Sequence, residues 1–237
     1  MKLRPAKDEA DLSRHAAAQV LRALRRNPDL LLGVATGRSP TLTYARLAAA
    51  RAREPALFRR LRVLTLDEWL GLPARHPGSC EAYVREKLLG PLGVDRSRYR
   101  GWRTESRAPR LECERMSRWL RRHGPIDLCV LGLGQNGHLL MNEPAPAIDP
   151  APHVARLAES TRRHSMLQSA RTVPRFGLTV GLADVLRTRA ILLLVSGRAK
   201  RAALERMLCG PVSTRCPASF LWLHPDVTVH YDEAARA

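Results

Sequence analysis

No run of apolar residues in this chain is long enough to cross a bilayer; the longest, such as "AILLLV", suit buried strands. The opening "MKLRPAKDEADLSRH" lacks the apolar core of a secretory signal, so the expected location is the cytoplasm. Cysteine is sparse and unpatterned. The five residues (Cys80, Cys113, Cys129, Cys209 and Cys216) are odd in number, irregularly spaced and form no C-x-x-C. Neither a disulfide framework nor a zinc site follows, and no metal is expected. Aromatic residues make up only 5% of the chain, a poor supply for stacking on bases. Acids are outnumbered, 22 Asp and Glu against 40 Lys and Arg, for a formal net charge of +18. The arginines are scattered through nearly every segment rather than gathered in a block. That reads as a solvated surface and speaks against a nucleic-acid partner. The same field would steer an anionic small molecule inward.

What is present is an alternation of apolar runs and amphipathic stretches, without repeat, low-complexity tract or linker. Hydrophobic residues are 45% of 237, enough for a sizeable core. Helices are expected over Asp8–Arg26, from Pro40 onward, over Ser79–Leu89, over Arg110–Arg122 and through "RAKRAALERML". Strands are expected at Leu30–Ala35, Arg62–Leu66, Ile126–Leu133, Ala190–Gly197 and Asp226–Asp232, with Ile126–Leu133 the most apolar and central. This pattern predicts an α/β fold with a mostly parallel sheet covered on both faces. Ligands in such folds bind beyond the carboxyl ends of the strands. Four strand ends therefore matter: Thr36–Pro40, Asp67–Leu72, Gly134–Pro144 and Gly197–Lys200.

The third contains "VLGLGQNGHLLMNEP", in which Gly132 to Gly137 spell G-x-G-x-x-G. A dinucleotide site needs a long helix directly after the last glycine. Here Pro144, Pro146, Pro150 and Pro152 follow, and a proline inside a helix costs roughly 3 kcal/mol. The glycines instead predict a tight turn that presents Asn136, His138 and, further on, Glu143. An imidazole held by a carboxylate is a common proton-transfer device. On spacing alone, that role and a merely structural turn stay equally open.

In "ATGRSP", Ser39 reads as a helix N-cap and Pro40 as the first helical residue, so hydroxyls and backbone N–H groups would gather at a helix start, suited to an anion. "TLDEW" places Asp67 and Glu68 straight after an apolar strand, a crowded place for two acids. "SGRAK" places Lys200 in the first turn of a helix. A cation there opposes the helix dipole, which makes a ligand phosphate the more attractive partner.

These motifs, with "LDEWLGLPARHPGSCEAY", "STRRH" and "STRCPASFLWLHP", give the chain a resemblance to the glucosamine-6-phosphate deaminase/isomerase family, and more closely to its galactosamine-6-phosphate branch. The resemblance runs from about Leu32 to Pro225. It implies one Rossmann-like three-layer α/β domain over residues 1–237, without nucleotide or other cofactor. It implies a 2-amino-2-deoxyhexose 6-phosphate as substrate, with a ketose 6-phosphate and ammonia as products. His138, held by Glu143, would open the ring, and Asp67 would move the proton from C2 to C1. Gly37, Arg38, Ser39, Arg162 and Lys200 would hold the phosphate.

The chain departs from the family pattern in three ways. Asn136 stands where some relatives have an acid, which makes it an orienting group. Arg38 replaces a small residue in the phosphate turn. "APAIDPAPHVARLAES" lacks the basic pattern that binds an acetylated amino-sugar activator in allosteric relatives, so that control is not expected. A sugar-phosphate lactonase of the same superfamily and a basic nucleic-acid-binding module are the competing readings. Epimer preference and self-association stay open.

Overall fold

In the computed structural model, which describes residues 1–236, the apolar runs lie side by side. In chain order the strands are β1 (Lys2–Ala6), β2 (Leu31–Val34), β3 (Arg62–Thr65), β4 (Asp67–Trp69), β5 (Tyr99–Arg100), β6 (Leu128–Gly132), β7 (His153–Arg156), β8 (Phe176–Thr179), β9 (Ala190–Val195) and β10 (Val227–Asp232). The helices are α1 (Glu9–Arg26), α2 (Arg38–Arg53), α3 (Cys80–Val84), α4 (Gly90–Leu92), α5 (Pro109–His123), α6 (Glu159–Arg162), α7 (Leu182–Leu186) and α8 (Arg201–Cys209). Seven strands form one parallel sheet in the order β1-β10-β9-β6-β2-β3-β5, with β6 in the middle.

Both faces of this sheet are covered, which is why its strands read as continuous apolar runs. Leu128 and Val130 of β6 join Leu192 and Leu194 of β9 in a core with Leu12, Val20 and Leu24 of α1 and Tyr44 and Leu47 of α2. Their sequence neighbours Cys129, Leu131, Ile191 and Leu193 face the other way, onto Met116 of α5, Val185 of α7 and Leu204 and Met207 of α8. Alternation along each strand thus builds the two outer layers. Each fully buried leucine is worth about 1.5–3 kcal/mol, and the central strands carry a buried apolar side chain at most positions.

Two features lie outside the sequence expectation. β1, "KLRPA", pairs with β10 at the sheet edge and is mostly exposed, so it shows no apolar pattern. Pro5 is tolerated there because an edge strand has one unpaired side. The second feature is a separate antiparallel sheet in the order β4-β8-β7. "DEW" is therefore not a loop after a strand but a strand itself. Leu66 is the joint between the sheets: its N–H donates to the Val34 carbonyl of β2 at 3.3 Å, and its own carbonyl accepts from Val180 at 3.0 Å. Trp69 and Ala155 of the small sheet pack with Leu72, Cys80, Met141, Leu157 and Leu167.

Candidate active site

A cavity of about 710 Å³ opens at the carboxyl edge of the parallel sheet, a size suited to a small ligand. The segments that follow β2, β3, β6 and β9 all reach it, which are the four strand ends singled out from the sequence.

After β3, alternation along β4 decides which acid faces the cavity. Asp67 and Trp69 line it, and Glu68 between them does not. Glu68 turns toward the start of α3, where its carboxylate accepts the backbone N–H groups of Trp69 (2.9 Å), Cys80 (2.8 Å) and Glu81 (2.7 Å). A carboxylate at a helix N-terminus satisfies donors that the helix itself leaves free. Ser79 caps the same terminus by accepting from Ala82 at 2.9 Å. Asp67 is buried, and its Oδ1 has no hydrogen-bond partner. Burial, with the Glu68 carboxylate adding to it, pushes Asp67 up to about 7. Burial likewise lifts Glu68 to about 7 against the pull of its three backbone donors. Asp67 is thus a dry carboxyl poised to take or give a proton near neutrality.

After β6, the glycines of the G-x-G-x-x-G string make room for an imidazole. A β-carbon on Gly134 would lie 2.1 Å from Cδ2 of His138, so only glycine fits beneath the ring. Gly137 takes φ 89°, a conformation that side chains disfavour. No long helix follows, and the turn serves His138. Its Nδ1 lies 3.1 Å from Oε2 of Glu143 and 3.3 Å from Oγ1 of Thr161. Burial works to raise Glu143, but the hydrogen bond and charge of His138, with Thr161 and Asn136, hold it below its ordinary value. The charged carboxylate therefore accepts a hydrogen bond from Nδ1–H, which leaves Nε2 with its lone pair free. Asn136 fixes this pair from both sides: its Nδ2 donates to Glu143 Oε2 at 2.7 Å and its Oδ1 accepts from the His138 backbone at 3.1 Å. The other oxygen of Glu143 accepts from Ala158, at the start of α6, at 3.2 Å.

After β2, the turn opens earlier than its sequence suggests. α2 begins at Arg38 with Gly37 as N-cap, not Ser39. Gly37 at φ 103° lets the chain enter the helix two residues sooner. Pro40 then falls within the first turn, where backbone N–H groups have no helical partner and a missing one costs nothing. The Gly37 carbonyl is pinned by the hydroxyls of Thr41 (3.0 Å) and Tyr83 (2.9 Å). Ser39 lines the cavity. Arg38 lies on the rim with its side chain 88% exposed, paired to Glu9 at 3.4 Å.

After β9, Gly197 turns at φ 90° and the chain winds through a short 3-10 segment into α8. Asp232, the last residue of β10, ties this turn down. It accepts from Ser196 Oγ at 2.5 Å, from the Gly197 N–H at 3.0 Å and from the Ala235 N–H at 2.8 Å. Lys200 lines the cavity, and burial lowers its amine below the usual lysine value. Among the described residues no carboxylate pairs with it.

Arg162 is the one residue expected in the phosphate set that is not on the cavity wall. It is half-buried, with its Nε buried and unpartnered, and the neighbouring Thr161, Arg163 and His164 line the cavity instead. Successive residues of a helical turn point about 100° apart, so a motif alone cannot say which of them faces inward. His164 and Trp69 are wall residues that sequence reasoning did not single out. Strand alternation from Asp67 would have found Trp69. Among the described residues no three His, Cys, Asp or Glu side chains gather as a metal site would require.

Fold and site together define an α/β protein that brings a dry carboxyl, a carboxylate-held imidazole and an unpaired lysine to one edge of a parallel sheet. The chain belongs to the family of glucosamine-6-phosphate isomerases/6-phosphogluconolactonase, whose model matches residues 5–230. It is 41% identical over 213 residues to the Escherichia coli (strain K12) protein named "Putative deaminase AgaI", covering 90% of this chain and 84% of that one. It is 38% identical over 239 residues to the glucosamine-6-phosphate deaminase of Streptomyces coelicolor, covering 98% and 89% of the two. The solved structure of a monomeric glucosamine-6-phosphate deaminase superposes with a TM-score of 0.92 at 33% identity, covering 99% of this chain and 98% of that one.

Proposed function

We propose that this protein converts a 2-amino-2-deoxyhexose 6-phosphate to the ketose 6-phosphate and ammonia, with galactosamine 6-phosphate preferred over glucosamine 6-phosphate. The observation that carries the reading is the meeting, in one cavity, of Asp67 with an unpartnered buried oxygen, His138 with Nε2 free, and Lys200 without a counter-charge.

His138 takes the proton of the anomeric hydroxyl at Nε2 and delivers it to the ring oxygen, so the pyranose opens to the aldehyde. Glu143 carries the compensating charge while the ring is imidazolium, and Asn136 keeps both groups in register. Asp67 then removes the C2 proton as O1 gains one, which gives an enolamine. The same carboxyl returns the proton to C1, leaving an iminium at C2. Water adds to C2, the nitrogen departs as ammonia, and the ketose remains. A C2 hydrogen is only weakly acidic. A base near neutrality in its proton affinity, held dry against the substrate, is what the step requires. Gly37, Ser39 and Lys200 on the wall, Arg38 at the rim and Arg162 just behind the wall hold the phosphate. Binding energy at that remote group orients C1 and C2 for the transfer.

The test is ammonia release from both amino-sugar 6-phosphates and both unphosphorylated sugars, beside acid release from a 6-phosphogluconolactone. Ammonia from the phosphorylated amino sugars, with the higher kcat/KM for the galactosamine epimer, is expected. The reverse epimer ratio overturns the preference. Acid from the lactone with no ammonia from either amino sugar overturns the reaction.

A further inference from the structure

His164 reaches the cavity from the "STRRH" segment, in which the sequence singled out only Arg162. The chain leaves β7, makes the single turn α6, and lays the imidazole over the turn that opens α2. A β-carbon on Gly37 would sit 3.6 Å from Nε2 of His164. The ring is held against Trp69, with centroids 6.0 Å apart and planes at 41°. Its other nitrogen is already committed: Nδ1 accepts the Met166 backbone N–H at 3.3 Å. A neutral imidazole that accepts at Nδ1 carries its proton on Nε2. The fold therefore fixes a donor on the nitrogen that lies beside Gly37.

We infer that His164 is a ligand-binding residue of the anion seat, donating Nε2–H to a phosphate oxygen held between the Gly37 turn and Lys200. The inference rests on the reading that this cavity takes a sugar phosphate. The choice of side chain has a physical reason. Burial, the Lys200 amine and His138 all hold His164 below the ordinary histidine value, so it stays neutral. A fixed cation in the place of His164 would repel Lys200 directly, whose amine burial already disfavours. A neutral donor adds a hydrogen bond to the anion without that repulsion. None of the phosphate-binding residues implied by the family resemblance is a histidine.

The probe is inorganic phosphate, titrated calorimetrically into the full chain, with three variants. His164→Phe keeps an aromatic ring against Trp69 and removes the donor. His164→Gln places an amide nitrogen close to the position of Nε2, and His164→Asn places one near Nδ1. A hydrogen bond to a charged group supports a loss of about tenfold or more. We expect phosphate affinity to fall at least that far in His164→Phe and in His164→Asn, and to stay within about threefold of wild type in His164→Gln. In the unaltered protein, the ¹⁵N resonances of His164 should show the proton on Nε2, and that nitrogen should shift as phosphate is added. Undiminished affinity in His164→Phe overturns the inference. So does a glutamine variant no better than phenylalanine, a proton found on Nδ1, or a wild-type chain that binds no phosphate. If the phosphate results hold while neither amino-sugar phosphate yields ammonia, the anion seat stands and the proposed reaction falls.

Discussion

The seven-stranded and three-stranded sheets furnish the same cavity by opposite means. The large sheet contributes loops. Glycine turns after β2, β6 and β9 deliver the Gly37 turn, His138 and Lys200 to the cavity. The small sheet contributes a residue from within a strand: Asp67 is in ladder register with Thr179 of β8. The difference matches what the proposed reaction asks of each group. Donors and cations for a ligand work at a partly wet rim, where loops are at home. A proton-transferring carboxyl must be kept dry and still, and a paired strand does that better than a loop.

The sharpest way to break this contrast is Asp67→Asn, which keeps shape and removes the base. Turnover should fall about 10²–10⁴-fold, and exchange of the substrate C2 hydrogen with deuterium oxide should stop with it. Stability should move the other way. The folded value of Asp67, about 7, lies above the unfolded value near 3.8. The folded state thus holds the extra proton, and ionising the carboxyl costs stability progressively as pH rises from about 4 to 7. Asp67→Asn should therefore melt above wild type at pH 8, with the gain fading toward pH 4. For the same reason wild-type kcat should decline as pH drops below about 7, where the base is lost. A variant that kept its turnover would move the proton transfer to another residue.

Next in size is Lys200→Ala, which tests the loop side. Charge-assisted hydrogen bonds are worth about 1.5–3 kcal/mol, so KM for the phosphorylated sugar should rise roughly ten- to a hundredfold. Residual turnover of the unphosphorylated sugar should change far less. Equal losses on both would place Lys200 at the reacting carbons rather than at the phosphate.

The smallest effect, and the finest discrimination, is expected of Glu68→Gln. Its side chain points away from the cavity and accepts three backbone N–H groups. The amide offers one acceptor oxygen where the carboxylate offers two, and leaves a buried donor short of a partner. That costs about 1–3 kcal/mol, or a fall in Tm of roughly 2–4 °C per kcal/mol, while C2 exchange persists. Complete loss of exchange with an unchanged Tm would make Glu68, not Asp67, the acting acid.

Much of the large sheet could be read in advance because burial on both faces leaves unmistakable apolar runs, as in "IDLCVLGL" and "AILLLV". β1 could not, since an exposed edge strand has no such signature. Nor could the small sheet. Three residues of β4 are too few to show a period, and β7 follows a proline-rich stretch that reads as loop. At the site, the groups that hold one another within a motif were legible: Asn136, His138 and Glu143 fall within eight residues, and the structure links them by hydrogen bonds. Groups that meet through tertiary folding were not. His164 and Gly37 are far apart in the chain, and nothing local to "STRRH" tells which of its side chains turns inward. The helix start at Gly37 was missed for a related reason, because Ser-Pro is a strong local signal and the positive φ of the preceding glycine overrode it.

Asp232 ends β10 and also anchors the turn before Lys200. The lysine's loop is therefore stitched to a residue 35 positions further along the chain, on the neighbouring strand. During synthesis, a nascent chain can release Asp67, His138 and Glu143 from the ribosome long before Asp232 emerges. Until then β9 has β6 on one side but lacks β10 on the other, and the Gly197 turn lacks its acceptor. Long-range parallel pairing is also slow to form. The turn before Lys200 therefore stays without this anchor until Asp232 has emerged, long after Asp67, His138 and Glu143.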